Sequence, residues 1–163
     1  TCPYRVIFGR ATGPATFTRG RIFVKKCIDT AFFYAVAALA GGVYFREFTK
    51  FNQFTGVTAL GKLHTHLFLL GMVIFLLLAA LDAPLSLTRA SGFGRFYLLY
   101  NAGVALTAVM MAIRGTVQVL ALPLSRGADA ALSGVAGIGH ILTGISLLLL
   151  FLLLRRAAAQ RHR

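Results

Sequence analysis

The stretch that decides the fold is "LGKLHTHLFLLGMVIFLLLAALD", which runs from Leu60 to Asp82. After His66 it contains no charged residue until Asp82, and its length is close to the ~20 residues with which a helix crosses a bilayer. Two histidines, His64 and His66, stand at the start of this apolar run, although a polar ring is costly to place in hydrocarbon. The stretch therefore predicts a membrane-spanning helix and raises the question of what its histidines bind.

Three further apolar segments of similar length predict three more spans. The connections between them are short and rich in turn-forming residues, so neighbouring spans are expected to be antiparallel. The sequence therefore predicts an all-α protein, an integral membrane up-down four-helix bundle. The predicted spans are Ile28 to Phe48, Thr58 to Leu81, Phe96 to Leu122 and Ser133 to Leu154.

The composition separates this chain from ordinary soluble proteins. Its 163 residues are 58% hydrophobic and 13% charged, whereas soluble domains usually contain about 25% charged residues. A net charge of +13 would suggest nucleic acid in a soluble protein. Here the basic residues flank the apolar segments, which indicates membrane topology and lipid as the partner, with no nucleic acid.

The distribution of the basic residues predicts the orientation. The antiparallel spans give two sides, and one of them carries few basic residues. These are Arg46, Lys50, Lys62 and Arg126, where Glu47 and Asp129 offset part of the charge. The positive-inside rule then places both termini in the cytoplasm. The richer side carries Arg5, Arg10, Arg19, Arg21, Lys25, Lys26, Arg89, Arg95, Arg155, Arg156, Arg161 and Arg163.

The chain divides into three regions. We expect residues 1–26 to be a basic tail, either disordered or artefactual, since they lack sustained periodicity and a signal-length apolar run. Residues 27–156 form the predicted transmembrane domain. Residues 157–163 form a short basic tail at the other end.

With this orientation, several polar residues share a depth in the outer half of the bundle. His66, His140 and Arg114 each lie about 10–12 Å below the predicted outer boundary, at a rise of about 1.5 Å per residue. The inner halves of the second and fourth spans are almost entirely apolar. Because ionisable residues within a membrane are by default functional candidates, we predict a site composed of His64, His66, His140, Arg114, Gln118, Arg46 and Glu47.

Helical phase distinguishes the two neighbouring histidines. Residues i and i+2 point about 200° apart, so His64 and His66 cannot both face one ligand on a regular helix. His64 shares a stripe with Gly61, Phe68 and Gly71. We therefore favour His64 and His140 as the facing pair, while His66 orients a partner or faces the first span.

One b-type haem is the ligand that this pair favours. Imidazole is a standard axial ligand of haem iron, and the second and fourth spans are diagonal partners in an up-down bundle. Arg114, Arg46 or Lys62 would neutralise the haem propionates as charge-assisted partners. A single site predicts an electron carrier, a haem-dependent sensor or an accessory subunit rather than a two-haem electron wire.

Two alternatives remain open. His64, His66 and His140 with Glu47 would instead form a copper or zinc site, although the i, i+2 spacing suits a shared metal poorly. Alternatively, each histidine bonds across helices, Arg114 pairs with Glu47, and the chain is a cofactor-free subunit of a homo-oligomer or a larger respiratory complex. Hydrolase, P-loop and zinc-protease motifs are absent from the sequence, so we do not expect an enzyme.

The chain resembles a family of small bacterial membrane proteins known as a domain of unknown function, which implies the inner membrane of a bacterial cell. Three stretches carry the resemblance, which extends from Cys27 to Leu154: "YFREFTKFNQFTGVTALGKLHTHLFLLGM", "FYLLYNAGVALTAVMMAIRGTVQVL" and "SGVAGIGHILTGISLLLLFLLL". The family pattern of paired histidines, Arg-Gly and "GIGHI" occurs here at His64, His66, Arg114 and His140, but it implies no established activity. A shorter motif, "HTHLFLLG", looks like haem-ligating helices related to haem-copper oxidase subunit I, which favours haem.

Overall fold

Four long helices make up the described part of the protein, and the predicted all-helical fold is confirmed. The computed structural model describes residues 14–87 and 90–161, with side chains from 22 to 160, and no strand occurs in this part. Each helix contains a segment long and apolar enough to cross a membrane. The helices are α1 (Pro14–Phe51), α2 (Leu60–Leu85), α3 (Phe93–Val119) and α4 (Arg126–Arg161).

Two helices begin earlier than the apolar pattern predicts. Helix α1 begins at Pro14, so half of the predicted tail is helical, and proline suits a first helical position because its φ is already fixed there. Helix α4 begins at Arg126, where the Ser125 hydroxyl accepts a hydrogen bond from the Ala128 N–H at 3.2 Å. Such a bond caps a helix start. The predicted tail residues 1–13, Arg89 and residues 162–163 lie outside the described part of the chain.

The helices alternate in direction, as predicted for an up-down bundle. Contacts between α1 and α3 advance together along both helices, from the Phe23–Phe93 ring pair to the Tyr44–Thr116 hydroxyl pair at 3.0 Å. Helices α1, α2 and α4 all contact α3, and α1 packs more extensively against α2. Helix α4 packs along α3 and meets α2 mainly at the Ile74–Leu85 section.

The α3–α4 pair approaches closely through two glycines. A Cβ on Gly103 would lie 2.7 Å from the Thr143 nitrogen, and a Cβ on Gly139 would lie 2.9 Å from the Thr107 nitrogen. Each glycine thus lies against the backbone of a threonine on the opposite helix. Small residues allow this kind of close approach between membrane helices.

Helix α2 contains a π-helical section, Leu67–Val73, between the α-helical sections Leu60–His66 and Ile74–Leu85. The Tyr100 hydroxyl of α3 donates a hydrogen bond of 2.7 Å to the Leu70 carbonyl in this section. Gly71 lies against the Tyr34 ring, where a Cβ would come within 2.3 Å of the ring carbon Cγ. A π-helical turn disturbs the regular bonding of carbonyl groups, and Tyr100 satisfies one of them.

The Tyr100 bond gives a first prediction. Tyr100→Phe should lower the free energy of unfolding by about 1 kcal/mol, because a buried carbonyl loses its side-chain donor. Equilibrium unfolding in mixed detergent micelles measures the loss. The matched control is Tyr44→Phe, whose hydroxyl bonds Thr116 at an exposed position and should matter less. Equal losses in both variants would contradict this role for Tyr100.

The outer surfaces of the helices carry large apolar side chains, which is compatible with contact to a lipid bilayer. The aromatic residues Phe75, Phe96 and Tyr100 lie in the interior, with less than 2% of their surface exposed. In a water-soluble protein this distribution would leave an unusually extensive apolar surface. The exposed apolar residues include Phe32, Phe33, Leu39, Val43, Ile141, Leu148 and Phe151.

Candidate functional site

The first histidine of α2 packs against α1. A Cβ on Gly42 would lie 3.7 Å from the Cβ of His64, and Gly61 and Gly71 of the same stripe lie beside Phe45 and Tyr34 of α1. The residues of the predicted stripe therefore do lie on one face of α2, but that face packs against α1 and does not line a central gap. The Nδ1 atom of His64 is buried and has no hydrogen-bond partner in the described part of the chain.

The other two histidines have the same local geometry. Nδ1 of His66 lies 3.0 Å from the Lys62 carbonyl oxygen, and Nδ1 of His140 lies 2.9 Å from the Ala136 carbonyl oxygen. A carbonyl oxygen only accepts, so Nδ1 is the donor in both rings. In the neutral imidazole the proton on Nδ1 leaves the lone pair on Nε2. Nε2 is therefore the ring nitrogen that is left for contacts outside the helix in both histidines.

The depth of His66 follows from the contact between α2 and α3. A Cβ on Gly115 would lie 2.5 Å from the Leu60 nitrogen, so Leu60 and Gly115 are at one level. His66 comes six residues after Leu60, which places it about 9 Å deeper.

The depth of His140 follows from the contact between α3 and α4. Gly139 is level with Thr107, which comes eight residues before Gly115 and therefore lies about 12 Å deeper. His140 is one residue further along, at about 13–14 Å. His66 and His140 therefore differ in depth by less than one helical turn of about 5.4 Å.

The directions of these two rings follow from the packing around α3. Thr107 faces α4, Gly115 faces α2 and Thr116 faces α1, and successive positions turn by about 100°. Helices α4, α2 and α1 therefore follow one another around α3. Because α3 and α4 are antiparallel, His140, one position after the α3-facing Gly139, turns toward the α2 side.

His66 turns toward the same space from the other helix. It points about 200° away from His64, whose ring lies against α1, and therefore away from α1. We name the space between the parts of α2 and α4 that carry His66 and His140 the α2–α4 groove. The fractional exposure of His140 is high, and that of His66 is intermediate.

The predicted partner of Arg114 is wrong. Its Nη2 atom lies 3.1 Å from the Asp129 carboxylate and also donates to the Ser133 hydroxyl, whereas Glu47 lies 3.8 Å from the neighbouring Arg46. Asp129 belongs to the first turn of α4, within reach of the end of α3. The ion pair therefore joins α3 to α4 and does not involve α1.

Gln118 has a structural contact that its position in the sequence does not reveal. Its Oε1 atom accepts a hydrogen bond of 2.8 Å from the Ala59 N–H, at the start of α2. Thr58 donates to the Gly115 carbonyl at 3.0 Å. These two bonds fix the start of α2 to the outer end of α3, and thereby fix the position of the histidines that follow.

The predicted site did not include a polar network that lies in the half of the bundle where α1 and α3 begin. The Tyr34 hydroxyl donates to Asn101 at 2.9 Å, Asn101 donates to the Tyr97 carbonyl at 2.7 Å, and the Tyr97 hydroxyl lies 2.6 Å from that of Thr30. Lys26 lies 4.4 Å from the centre of the Tyr97 ring. In the sequence, the network could have been predicted from the spacing of Tyr97, Tyr100 and Asn101 within an apolar run.

Three clefts open at the ends of the bundle, and none of these three is lined by a histidine. One, of about 520 Å³, lies at the outer end between Arg114, Gln118 and Asp129. The other two, of about 560 and 280 Å³, lie where α3 begins and α4 ends, and both include Arg156.

The described residues do not form the three-ligand metal site of the alternative hypothesis. No three His, Cys, Asp or Glu side chains among them come together as a group that could hold a metal ion. His64 and His66 point apart, as the i, i+2 spacing predicts, and Glu47 pairs with Arg46.

Comparison with known proteins gives one match. Residues 24–157 match the family described as "Protein of unknown function (DUF2871)", which confirms the resemblance drawn from the three quoted stretches. No curated protein and no solved structure matches the chain, so the likeness of "HTHLFLLG" to haem-copper oxidase helices has no support. Since the match covers most of the chain, this four-helix protein belongs to that family of unknown function.

Proposed function

We propose that this protein binds one b-type haem in the α2–α4 groove, with His66 and His140 as axial ligands, and transfers electrons in the membrane. The observation that carries the proposal is the shared geometry of the two rings. Each Nδ1 donates to a carbonyl oxygen one turn earlier in its own helix. Each Nε2 therefore carries the lone pair that can bind iron.

This geometry suits an iron ligand. A metal-binding histidine usually donates its other ring N–H to a carbonyl or carboxylate, which fixes the tautomer and the ring orientation. Lys62 and Ala136 supply these carbonyls here. The two rings come from different helices and lie at depths that differ by less than one turn, as bis-imidazole ligation of one iron requires.

The packing leaves room for a flat ligand. Helix α4 meets α2 mainly at the Ile74–Leu85 section, so the outer parts of these two helices are less closely packed, with α3 behind them. A Cβ on Gly137 or Gly144, near His140, would meet no atom within 4 Å. An apolar macrocycle would replace lipid tails in this space.

Two basic side chains would pair with the haem propionates. Lys62 lies one turn outward from His66 and has no ion-pair partner among the described residues. Arg114 donates to Ser133, two turns outward from His140, and a propionate there would share its guanidinium with Asp129. Cations at this level would form charge-assisted hydrogen bonds with carboxylates. Arg46 is on α1, on the far side of α2, and is not part of this proposal.

The number of ligands favours electron transfer over gas sensing. Two imidazoles occupy both axial positions of the iron, so no position remains for a small molecule. Bound haem would supply the one-electron chemistry, and the chain would hold the iron in a dry environment that sets its potential. His64, which faces α1, is excluded from the ligand set.

We propose the orientation in which the ends of α1 and α4 that carry Lys25, Lys26, Arg155 and Arg156 face the cytoplasm of a bacterial cell. The support is the excess of basic residues at this end over the end that carries Arg46, Lys50 and Lys62. The haem would then lie near the periplasmic side.

The test is absorbance of the protein purified in mild detergent from haem-replete cells. The wild type should show a Soret band with the split visible bands of a low-spin, bis-imidazole iron. His66→Ala and His140→Ala should each lose the low-spin spectrum, because one axial ligand is missing. His64→Ala is the matched control, since it removes an imidazole two residues away, and it should keep that spectrum.

Three results would overturn the proposal. A wild-type protein without a Soret band would remove haem altogether. Loss of the low-spin spectrum in His64→Ala, with its retention in His66→Ala, would assign the other histidine of α2. An unchanged spectrum in His140→Ala would exclude α4. Size-exclusion chromatography of each variant separates loss of haem from loss of fold.

A further inference from the structure

We infer that the cleft between the start of α3 and the end of α4 binds the phosphate group of an anionic phospholipid. This cleft, about 280 Å³ in volume, is named the basic-end cleft. It is formed by Ser91, Gly92, Arg95, Leu149, Leu152, Leu153 and Arg156.

The charge of the basic-end cleft is not compensated by the protein. Arg95 and Arg156 are both exposed, and within the described residues neither has an ion pair or a hydrogen bond. The whole chain has four carboxylate side chains against seventeen Lys and Arg. Two of these carboxylates, Glu47 and Asp129, lie at the other end of the bundle, and Asp29 is bound by Lys25 at 2.8 Å. The fourth, Asp82, is buried and has a partner of its own. An anion from outside the chain is therefore the available partner.

The lining of the cleft matches an amphiphile. Its polar lining residues are Arg95, Arg156 and Ser91, and its apolar ones are Leu149, Leu152 and Leu153. A free phosphate would use only the polar part. A phospholipid would place its phosphate between the arginines and its acyl chains along the leucines, as in other basic pockets between membrane helices.

The position of the cleft agrees with the level of lipid phosphates. The apolar segment of α3 begins at Phe93 and the leucine-rich run of α4 ends at Leu154, so the cleft lies at the boundary between hydrocarbon and headgroups. Arg156 also lines the neighbouring cleft of about 560 Å³, together with Ser91 and Leu153. A headgroup larger than a single phosphate would extend into this second space.

The start of α3 contributes donors to the same place. Gly92 precedes the helix with a φ of +102°, and no side chain caps the N-terminus. The first N–H groups of a helix lack partners within the helix, and they carry a partial positive charge that favours anions. These donors add to the two arginines, which carry the inference.

Native mass spectrometry of the detergent-purified protein tests the inference. Phosphatidylglycerol and phosphatidylcholine are titrated separately, and the double variant Arg95→Gln/Arg156→Gln is compared with wild type. Two surface arginines should account for roughly 20-fold in affinity, so we expect about that loss of phosphatidylglycerol binding and little change for phosphatidylcholine. The matched control is Arg155→Gln, which removes the same charge next to Arg156 but outside both clefts, and it should bind like wild type.

Competition by inorganic phosphate identifies the source of the phosphate group. Millimolar phosphate should not displace phosphatidylglycerol if the acyl chains contribute. Displacement at that concentration, equal binding of both lipids, or an equal loss in Arg155→Gln would each overturn the inference. The elution volume of every variant on size-exclusion chromatography verifies that the fold is intact.

Discussion

Gly139→Ala should destabilise the protein by about 2 kcal/mol, because overpacking of a close contact forces the backbones apart. The added Cβ would lie 2.7 Å from the Thr107 hydroxyl oxygen and 2.9 Å from the Thr107 nitrogen. Backbone atoms cannot move aside as the end of a flexible side chain can. Helices α3 and α4 would have to separate along the interface that holds α4 in the bundle.

The matched control for this variant is Gly134→Ala, on the same helix. A Cβ on Gly134 would meet nothing within 4 Å, so this substitution should be neutral or raise stability by up to ~1 kcal/mol, because alanine favours helix more than glycine. Unfolding in mixed micelles measures both variants. Only Gly139→Ala is expected to lose stability, and a Gly139→Ala variant as stable as Gly134→Ala would show that the α3–α4 contact is looser than described.

Gly115→Ala should have a similarly large effect, about 2–3 kcal/mol of destabilisation. The new Cβ would lie 2.5 Å from both the nitrogen and Cγ of Leu60, in the contact that joins the start of α2 to α3. The Thr58 bond to the Gly115 carbonyl would be displaced as well. Unfolding in mixed micelles measures the loss.

Gly94→Ala controls for the intrinsic preference of α3 for alanine. Gly94 is exposed, and a Cβ there would meet nothing within 4 Å. We expect no loss of stability in this variant. If Gly115→Ala were as stable as Gly94→Ala, the close approach of α2 to α3 at Leu60 would be contradicted.

The sequence was sufficient to predict four helices and their alternating directions. Apolar runs such as Leu67 to Leu81 are too long for other elements, and short connections allow few arrangements. Helix ends were less predictable, because hydropathy marks only the apolar part. Pro14 and Arg126 begin helices in polar sequence, where capping and intrinsic propensity act without a hydrophobic signal.

The lateral arrangement of the helices could not be derived from one sequence. Periodicity correctly put Gly61, His64 and Gly71 on one face, but it does not say which neighbouring helix that face meets. The structure places this face against α1, which moves the proposed ligand of α2 from His64 to His66. The hand of the bundle, which decides this question, depends on all four helices together.

Long-range polar contacts were also beyond the sequence. Arg114 reaches Asp129 because α4 begins earlier than its apolar run, so an acid assigned to a loop becomes a helix residue. Tyr34 and Asn101 meet across two helices, and nothing local to either residue predicts the pairing. Such contacts depend on the packing of helices distant in sequence.

The π-helical section of α2 sets the rotation of one half of the helix against the other. A turn closed by i+5 bonds contains about one residue more than an α-helical turn, so residues on its two sides are about one position, roughly 100°, out of regular phase. His66 lies directly before this section, and Phe75 is the second residue after it. Shortening Leu67–Val73 by one residue would rotate the imidazole of His66 by roughly 100° away from α4, while Phe75 stayed in the aromatic interior. This section therefore sets the angle between the faces of the two halves of α2.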